Sequence, residues 1–284
     1  MKAILMLSIA AFLGLTSKSL NLSQENTNRE HWSIQEGFRF SFFKSLYRTQ
    51  GIAADNEGHF WFSSWTSLVS TNSKTGFITY GKTLAIPYSL LKLGARHIGD
   101  VSYADGKIFA PIEDGAHYAH PHIVVYDAKT LQVQKKKLLP IELQSDGVPW
   151  VAASRELGAV FSSEYSNMSQ VNIYDFDTLE PIGFVKPNII LHSVQGGEYH
   201  NGFLYLTANA PESGFSIYKM NLQTGEVIEV AQLPKILIEV EGLAFNTEQG
   251  VEKILVLGIA AVKENESKFD ILRRRMALYT YAAD

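Results

Sequence analysis

The 284-residue chain contains no cysteine. Disulfide bonds, thiol catalysis, cysteine-ligated zinc and lipid attachment through a thiol are therefore all excluded. An excess of positive charge is missing too, because 25 lysines and arginines stand against 29 aspartates and glutamates, for a formal net charge of −4. A general nucleic-acid binder needs a basic surface that displaces counterions from the phosphates. We therefore expect no nucleic-acid partner.

The motifs of several common catalytic sites are also missing. The chain has no Gly-x-Ser-x-Gly nucleophile turn, no phosphate-binding glycine loop and no His-Glu-x-x-His pair. These absences disfavour α/β-hydrolase, phosphate-loop and zinc-protease chemistry. A Ser-His-Asp triad assembled from distant segments stays open, because such triads are defined by geometry and not by sequence order.

The N-terminal segment has the layout of a secretory signal peptide. Lys2 precedes an apolar run over residues 3–15, and small and polar residues follow it up to Ser19. The run is short for a spanning helix, although an uncleaved N-terminal anchor is the alternative. We expect residues 1–19 to be removed and residues 20–35 to form a flexible lead-in. The product would be a secreted or periplasmic monomer without a transmembrane domain.

The chain is rich in residues that form β-strands. It holds 16 Phe, 13 Tyr and 4 Trp, and broad aromatic rings favour the pleated surface of a sheet. Five times, an apolar stretch reaches a turn rich in Asp, Asn and Gly and returns as a second apolar or aromatic stretch. The glycines of these turns recur at intervals of roughly 48 residues, at Gly58, Gly106, Gly158, Gly202 and Gly250.

A second repeated feature follows four of these turns. An Asp or Asn ends a third strand, a Thr stands three residues later, and a fourth strand begins, at Asn72, Asp127, Asp175 and Asn221. Four strands per repeat predict a β-propeller over residues 36–284, most simply with five blades. Six blades is the alternative, if residues 82–96 or the region before Gln50 form a degenerate blade. The fifth repeat lacks an outer strand, which residues 38–43 could supply to close the ring.

The aspartate-lysine-threonine turns resemble the repeat units of the YVTN, NHL and gluconolactonase-like propeller superfamilies, over residues 50–284. The segment Glu241-Gly242-Leu243-Ala244-Phe245 is similar to the opening of an inner strand in gluconolactonase and lactonase propellers. In those families the glutamate at this position binds calcium, so the resemblance implies that Glu241 is a calcium ligand. The resemblance implies the fold and leaves the activity open.

Propeller geometry also predicts the face on which a site would lie. The inner strand of each blade starts at one face of the channel, and the loop between the second and third strands emerges on that face. The segments before the inner strands contribute Gln50, His97, Asp100, Trp150, Gln195 and Glu241. The loops after the second strands contribute Trp65, residues 113–122, Glu164 and Asn209.

Histidines are concentrated on this predicted face. Four of the eight in the chain fall within 26 residues, at His97, His117, His120 and His122. Imidazole titrates near neutrality and binds transition metals, so the cluster predicts either a zinc site or acid–base chemistry by His97 and His117. A polar loop whose histidines cap strands and meet solvent is the simpler interpretation.

Oxygen ligands for a cation are predicted on the same face. Glu113, Glu164 and Asn209 end second strands, and Glu241 stands near an inner-strand start, so the four could hold Ca²⁺. Strand-end polar groups that hydrogen-bond to backbone are the alternative. The remaining residues of the face are predicted to contact a ligand directly: Gln50, Trp65, Asp100, His120, His122, Trp150 and Gln195.

Two functions from different classes remain open. The first is an exported binding or scaffold protein that uses this face for a small ligand, a glycan or a protein. The second is a metal-dependent hydrolase or lactonase, in which Ca²⁺ or Zn²⁺ polarises a carbonyl while His97 or His117 acts as the base. We prefer the binding role, because the lactonase pattern is matched at Glu241 alone.

Overall fold

The computed structural model describes residues 30–115, 117–210, 214–261 and 275–284. The expected signal peptide, residues 1–19, lies outside this part of the chain. The described residues form five sheets, each a blade of a β-propeller, which confirms the predicted all-β fold with five four-stranded blades. Within these ranges, no helix combines the length and the apolar character that crossing a membrane requires.

Each blade is an antiparallel sheet that is described here from the channel outwards. Blade 1 consists of β2 (Gly51–Ala54), β3 (Phe60–Ser63), β4 (Leu68–Thr71) and β5 (Ile78–Lys82). Blade 2 consists of β6 (His97–Ile98), β7 (Ser102–Ala104), β8 (Lys107–Glu113), β9 (His122–Asp127) and β10 (Val133–Leu138). Its inner strand is therefore split into two pieces, β6 and β7, which both pair with β8.

Blades 3 to 5 follow the same plan. Blade 3 consists of β11 (Ala152–Ser154), β12 (Ala159–Ser162), β14 (Val171–Asp175) and β15 (Pro181–Val185). Blade 4 consists of β16 (Leu191–His200), β17 (Phe203–Ala210), β18 (Gly214–Asn221) and β19 (Val227–Gln232), with the short β13 (Asn167–Met168) paired to β16. Blade 5 consists of β20 (Leu237–Glu248), β21 (Val251–Ala260), β22 (Arg275–Ala283) and β1 (Trp32–Arg39).

The N-terminal strand closes the ring as predicted, but the strand lies earlier in the chain than residues 38–43. Strand β1 pairs antiparallel with β22 from Trp32 to Arg39, and it includes residues 32–35 of the expected lead-in. Residues Phe42–Ser45 instead form a one-turn helix, α1. Burial explains the shift, since Trp32 is only 4% exposed whereas Phe43 is 78% exposed. Trp32, the first residue of β1, is therefore the apolar side chain that fixes the position of the strand.

Tight turns connect the inner strands to the second strands. All five predicted turn glycines have positive φ, a conformation that costs glycine least. At Asp105-Gly106, Asn201-Gly202 and Gln249-Gly250 both turn residues have positive φ, and the two residues alone join the strands. That geometry matches the right-handed twist of a hairpin, so these turns fix the strand register locally.

The outer turns repeat one hydrogen-bond pattern. The Asp127 carboxylate accepts the backbone N–H groups of Lys129 and Thr130, at 3.1 and 2.8 Å, and the Thr130 hydroxyl at 2.8 Å. Asp175 and Asn221 make the corresponding bonds in blades 3 and 4. An acceptor side chain at the first position therefore stabilises this turn in blades 2, 3 and 4.

The apolar core is divided among the five interfaces between neighbouring blades. One cluster of buried side chains lies at each interface. Between blades 1 and 2, Trp61 stacks on Tyr103 at 4.9 Å, and the Trp61 indole donates to the carbonyl of Ala128 at 2.9 Å. The described helical segments are α1, α2 (Tyr88–Leu91) and a 3₁₀ turn (Ile141–Leu143), and of these α1 lines the cavity described below.

Candidate functional site

Asp100 lies at the centre of the propeller and is fully buried. It stands between β6 and β7, where the inner strand of blade 2 is interrupted. Its carboxylate accepts backbone N–H groups from three other blades, those of Ile52 at 3.0 Å, Gly197 at 3.1 Å and Leu243 at 3.1 Å. The side chain thus links blade 2 to blades 1, 4 and 5.

The backbone of Asp100 links blade 2 to the remaining blade. Its N–H donates to the carbonyl of Pro149 at 2.9 Å, and its carbonyl accepts the N–H of Val151 at 3.3 Å. The approach of Asp100 requires glycine on the neighbouring strand, because a Cβ on Gly242 would lie 2.7 Å from its carboxylate oxygen. Asp100, predicted to contact a ligand, therefore holds the blades together instead.

A second carboxyl group lies in the channel beside Asp100. The Oε1 atom of Glu198 accepts the Ser102 hydroxyl at 3.0 Å and the Tyr199 N–H at 3.1 Å. Burial raises the pKa of Glu198 to about 8, since the anion loses its hydration. Burial also raises the pKa of Asp100, and the nearby Glu198 adds to this, although three backbone N–H groups favour the anion.

A cavity of about 610 Å³ lies above Asp100, at the face where the inner strands start. We call it the entrance cavity. Six of the individually predicted site residues line it: Gln50, Trp65, His97, Glu113, Gln195 and Glu241. The other described residues that line it are Phe42, Ser45, Leu46, Thr49, Arg96, Asp114, Gly115, Tyr118, Pro149, Tyr165, Glu239, Ile259 and Met276.

His97 is held on both sides by polar partners. Its Nδ1 atom lies 3.0 Å from Oε1 of Glu113, and its Nε2 atom contacts the amide oxygen of Gln50. The second oxygen of Glu113 accepts the backbone N–H of Val148 at 2.7 Å. Both ring nitrogens of His97 and both oxygens of Glu113 are therefore engaged within the cavity wall.

Aromatic rings and further carboxylates complete the wall. Trp65 is 62% exposed at the rim and meets the His97 ring edge to face at a centroid distance of 5.9 Å. Glu241 is only 2% exposed, whereas Glu239 is half-buried and accepts the side-chain amide of Gln195 at 3.3 Å. Burial raises the pKa of Tyr165, and the negative charges of Glu239 and Glu241 raise it further.

The three loop histidines lie outside the lining of the entrance cavity. Asp114 organises their loop, because its carboxylate accepts the backbone N–H groups of His117 and Tyr118 at 2.9 and 2.7 Å. His122 is buried in β9, where its Nδ1 atom lies 2.7 Å from the carbonyl of His120, and burial lowers its pKa. Only His97, of the predicted histidine cluster, reaches the cavity.

The predicted calcium ligands are brought together only in part. Glu113 and Glu241 line the cavity, whereas the Glu164 carboxylate accepts the backbone N–H groups of Ser145 and Asp146 at 2.9 and 3.3 Å. The side chain of Asn209 lies outside the described residues. Of the described members of this set, two carboxylates therefore line the cavity, whereas Ca²⁺ takes six to eight oxygen ligands, so the set fits that ion poorly.

Trp150, also predicted to contact a ligand, is a core residue. It is fully buried, its indole donates to the Ser163 hydroxyl at 3.0 Å, and its ring covers Gly197. A Cβ on Gly197 would lie 2.4 Å from that ring, so glycine is needed there. Trp150 therefore packs between blades 3 and 4 beneath the cavity.

One group of His, Asp and Glu side chains in the described residues is close enough to share an ion, and it lies elsewhere. Asp55, Glu57 and His59 place their ligand atoms within 4.8 Å of one another. They form the turn between β2 and β3, at the opposite end of the blade from the cavity. Asp55 accepts the N–H groups of Glu57 and His59 at 2.8 and 3.0 Å, so turn formation explains the cluster.

No family model matches the chain, and no curated protein matches it. Solved structures match it in fold. RS223 β-xylosidase is 10% identical, with 86% of this chain and 94% of that chain covered and a TM-score of 0.59. CoXyl43, a GH43 β-xylosidase/α-arabinofuranosidase from a compost microbial metagenome, was solved with xylotriose in a calcium-free form. It is 11% identical over 86% and 94% of the two chains, with a TM-score of 0.57.

The match to Kuenenia stuttgartiensis hydrazine synthase covers 79% of this chain and 59% of that chain, with a TM-score of 0.47 and 11% identity. The two xylosidases, with TM-scores of 0.59 and 0.57, share the propeller fold with this chain, and identities this low do not bear on activity. The expected relation to the YVTN, NHL and gluconolactonase-like superfamilies stays a prediction.

Sequence reasoning missed part of the cavity wall. Glu239 could have been found, because it stands two residues before Glu241 on a strand, and alternate residues of a strand share a face. Tyr118 lies within residues 113–122, which were predicted for this face, whereas Tyr165 carried no such signal. Phe42 and Leu46 were missed because the segment was expected to be a strand, whereas it forms α1 and the residue after it.

Proposed function

We propose that the protein binds a small organic ligand in the entrance cavity. The observation that carries this proposal is the cavity itself, whose volume of about 610 Å³ lies within the range of small-molecule sites. All five blades contribute to its wall, through Gln50, His97, Pro149, Gln195 and Glu241.

The polar contacts of the wall support binding more than catalysis. A general base needs a lone pair directed at the substrate, and both nitrogens of His97 are engaged by Glu113 and Gln50. His117, the other predicted base, is outside the cavity lining. Trp65 offers an exposed aromatic face at the rim, which suits contact with a ligand.

A thermal-shift screen of the full chain against soluble metabolites and oligosaccharides, xylotriose included, tests this proposal. A ligand that binds only the folded state raises the melting temperature by mass action. Its affinity should fall by at least about tenfold in Trp65→Ala. Phe77→Ala is the control, because Phe77 is exposed and does not line the cavity. Ligands with unchanged affinity in Trp65→Ala and Gln195→Ala would contradict a site in the cavity.

A metal-dependent hydrolase or lactonase is the second candidate. Its support is that Glu113 and Glu241 line the same cavity, and its weakness is that Glu164 does not. Titration with Ca²⁺ and Zn²⁺ separates it from simple binding. A rise in melting temperature that is lost in Glu241→Gln would support it. The absence of any shift with either ion would rule it out.

Export is a separate part of the proposal and is supported by the sequence of residues 1–19. Expression of the full chain, cell fractionation and N-terminal sequencing test it. We expect a mature protein beginning near residue 18 or 20 outside the cytoplasm. An intact Met1 on a membrane-bound product would indicate an uncleaved anchor, and an intact Met1 in the cytoplasm would contradict export.

A further inference from the structure

The exposed apolar side chains of the protein are concentrated on blade 1. Of the large apolar side chains that are exposed in the described residues, more than half lie between Phe42 and Leu93, in this blade and the segments beside it. We call the six most exposed of them the blade 1 patch; at 48% to 81% exposure they are Phe43, Leu46, Trp65, Phe77, Leu84 and Tyr88. Soluble proteins seldom expose so many apolar side chains together unless the surface has a partner.

Contacts join α1 to the outer part of blade 1. Phe43 lies on α1 next to Lys44, whose ammonium is 4.3 Å from the centre of the Phe77 ring. The same ammonium donates to the carbonyl of Thr75, in the turn before β5, at 2.8 Å. The two most exposed rings of the patch, Phe43 and Phe77, therefore lie on either side of one lysine.

Trp65 lies between α1 and the segment that follows β5. The Ser64 hydroxyl donates to the carbonyl of Leu46, the residue after α1, at 3.0 Å. On the other side, the Thr66 carbonyl accepts the N–H of the residue after Leu84 at 2.7 Å. The patch therefore extends as one surface from α1 across the loop of Trp65 toward α2.

The same part of the chain is basic, although the protein as a whole has a formal net charge of −4. Residues 58–99 include no Asp or Glu, whereas Lys74, Lys82, Lys92 and Arg96 all lie among them. Helix α1 adds Lys44 and no acidic residue. Blade 1 thus has a positively charged side on a protein of negative net charge.

Neutral groups contact three of these lysines. The Lys44 ammonium donates to a carbonyl, as described, and the Lys82 ammonium donates to a glutamine amide oxygen at 3.3 Å. The Lys92 ammonium lies 4.8 Å from the centre of the Tyr88 ring. Among the described residues, the lysines that form ion pairs with carboxylates are others. The charge of these three lysines is therefore available to an anionic partner.

The residue types of the surface favour a lipid partner over a protein. Lysine is depleted at protein–protein interfaces, where arginine takes its place, yet lysines stand among the exposed rings here. At a membrane surface, aromatic rings concentrate at the level of the headgroups, and lysines lay their stems on apolar groups while their ammonium groups meet phosphates. An anionic membrane therefore complements both the rings and the charges of blade 1.

We propose that blade 1 docks on the surface of an anionic phospholipid membrane. The rings of Phe43 and Phe77 would enter the boundary between headgroups and acyl chains, and Lys44, Lys82 and Lys92 would contact the phosphates. Stable attachment to a membrane surface takes two signals, and the apolar rings and the lysines supply one each. This inference does not depend on a ligand in the entrance cavity.

Co-sedimentation of the full chain with two kinds of vesicle tests this proposal. One kind consists of phosphatidylcholine alone, and the other contains phosphatidylglycerol and phosphatidylcholine in a ratio of about one to two. We expect the mixed vesicles to bind the protein about 100-fold more tightly, since each of three lysines contributes a factor of about five near an anionic surface. Raising the salt concentration should remove most of this difference.

Trp65 gives a second measurement, because it is the exposed one of the four tryptophans; Trp32, Trp61 and Trp150 are buried. On mixed vesicles its emission should shift to the blue, and lipids with brominated acyl chains should quench it. Trp65→Phe should lose both signals while most of the protein still sediments with the vesicles. A signal that survives Trp65→Phe would place the contact elsewhere and overturn the proposal.

Two combined variants separate apolar contact from charge. Phe43→Ser with Phe77→Ser removes two exposed rings and should weaken binding to the mixed vesicles at least about tenfold. Lys44→Gln with Lys82→Gln and Lys92→Gln should abolish most of the preference for mixed vesicles. Every variant keeps the same N-terminus, so any contribution of residues 1–19 cancels in the comparison.

Each combined variant has a matched control elsewhere on the molecule. Ile189→Ser with Ile190→Ser removes two exposed apolar side chains between blades 3 and 4. Lys129→Gln with Lys186→Gln and Lys235→Gln removes the same charge from three exposed lysines outside blade 1. Both controls should bind the vesicles as wild type does, and thermal unfolding identifies any variant that fails to fold.

Loss of vesicle binding in the two patch variants and not in their controls would support the proposal. Failure to bind either kind of vesicle, equal binding to both, or equal loss in variants and controls would overturn it. Light scattering tests a second copy of the chain as the partner. A dimer that Phe43→Ser with Phe77→Ser dissociates, in a protein that binds no vesicles, would overturn the membrane in favour of that copy.

Discussion

Asp100 contacts every other blade of the propeller, through one carboxylate and its own peptide groups. A carboxylate can do this because both oxygens accept and neither donates. Oδ1 accepts the N–H of Ile52, and Oδ2 accepts the N–H groups of Gly197 and Leu243. An asparagine at this position would turn an amide toward at least one of those N–H groups, donor against donor.

Replacing Asp100 should therefore destabilise the whole fold. In Asp100→Asn one or more buried N–H groups lose their acceptor, and in Asp100→Ala all three do. Each unsatisfied buried donor costs about 1–3 kcal/mol, so the free energy of unfolding should fall by several kcal/mol in the alanine variant. Urea denaturation followed by tryptophan fluorescence measures the change.

Asp177→Asn is the comparison for Asp100→Asn. Asp177 is exposed and pairs with Arg155 at the surface, at 2.9 Å. The loss from such an exposed pair should be small, because water screens both charges. A similar small loss at Asp100 would show that its three hydrogen bonds do not hold the blades together.

The closing strand β1 joins the start of the described chain to its last strand, and Trp32 is its main apolar contact. The indole meets Tyr205 and Phe245 edge to face, at 6.2 and 5.9 Å. Its N–H donates to Glu30 at 2.7 Å, and Glu30 also accepts the Tyr205 hydroxyl at 2.8 Å. Closure thus depends on contacts with blade 4 as well as on pairing with β22.

Trp32→Ala should lower the free energy of unfolding by about 3–5 kcal/mol, because it removes a buried aromatic side chain and leaves a cavity between blades 4 and 5. Thermal unfolding and proteolysis of β1 both report this loss. Ile34→Ala lies two residues along the same strand and is largely exposed, so it should change the stability by about 0.5 kcal/mol or less. Equal effects at the two positions would contradict the role of Trp32.

Elements whose structure depends on local chemistry could be predicted from the sequence. The turn glycines and the Asp127-type turns are determined by backbone conformation and by side chains only three residues apart, and the structure has both. An N-terminal strand that closes the ring was predicted correctly, but it was placed at residues 38–43, because those residues show a similar apolar pattern. Its position depends on the burial of Trp32 against Tyr205, a contact between residues far apart in sequence.

The sequence could predict the face of the propeller on which the candidate site lies, but not the contacts that its residues make. Residues at strand starts, such as Gln50 and Glu241, meet at the cavity because the propeller symmetry brings every strand start together. The histidines at 117–122 do not, because Asp114 fixes the loop that carries them. The role of Asp100 depends on backbone groups from four other blades, which no local pattern encodes.

At the scale of the whole molecule, two buried carboxyl groups lie at the axis on which all five blades meet. Burial raises the pKa of Glu198 from 4.5 to about 8, and that of Asp100 also rises. A folded carboxyl with a raised pKa binds a proton that the unfolded chain releases. Its stabilising contribution is therefore complete below about pH 4.5, is lost as the pH rises to about 8, and stays lost above that.

Glu198→Gln should remove this dependence, because a glutamine accepts the Ser102 hydroxyl without titrating. Relative to wild type, the variant should gain stability steadily from pH 5 to pH 8, by about 1.4 kcal/mol for each unit of pKa difference. Urea denaturation of both proteins at pH 5, 6, 7 and 8 gives this difference directly. The variant has to be compared with wild type because His122 also titrates. Burial lowers the pKa of His122, so its contribution makes stability rise with pH below about 6.5 and masks part of the fall caused by Glu198.

Glu180→Gln is the control for removing one carboxylate at the surface, where Glu180 contacts Lys137. If the pH profile of Glu198→Gln ran parallel to that of wild type, Glu198 would have an ordinary pKa and the channel would be open to water. If the stability difference between Glu198→Gln and wild type instead grew with pH and levelled off near pH 8, the titrating group would be Glu198 at the propeller axis. Because Asp100 lies beside Glu198 and titrates in the same direction, part of the slope should persist in the variant.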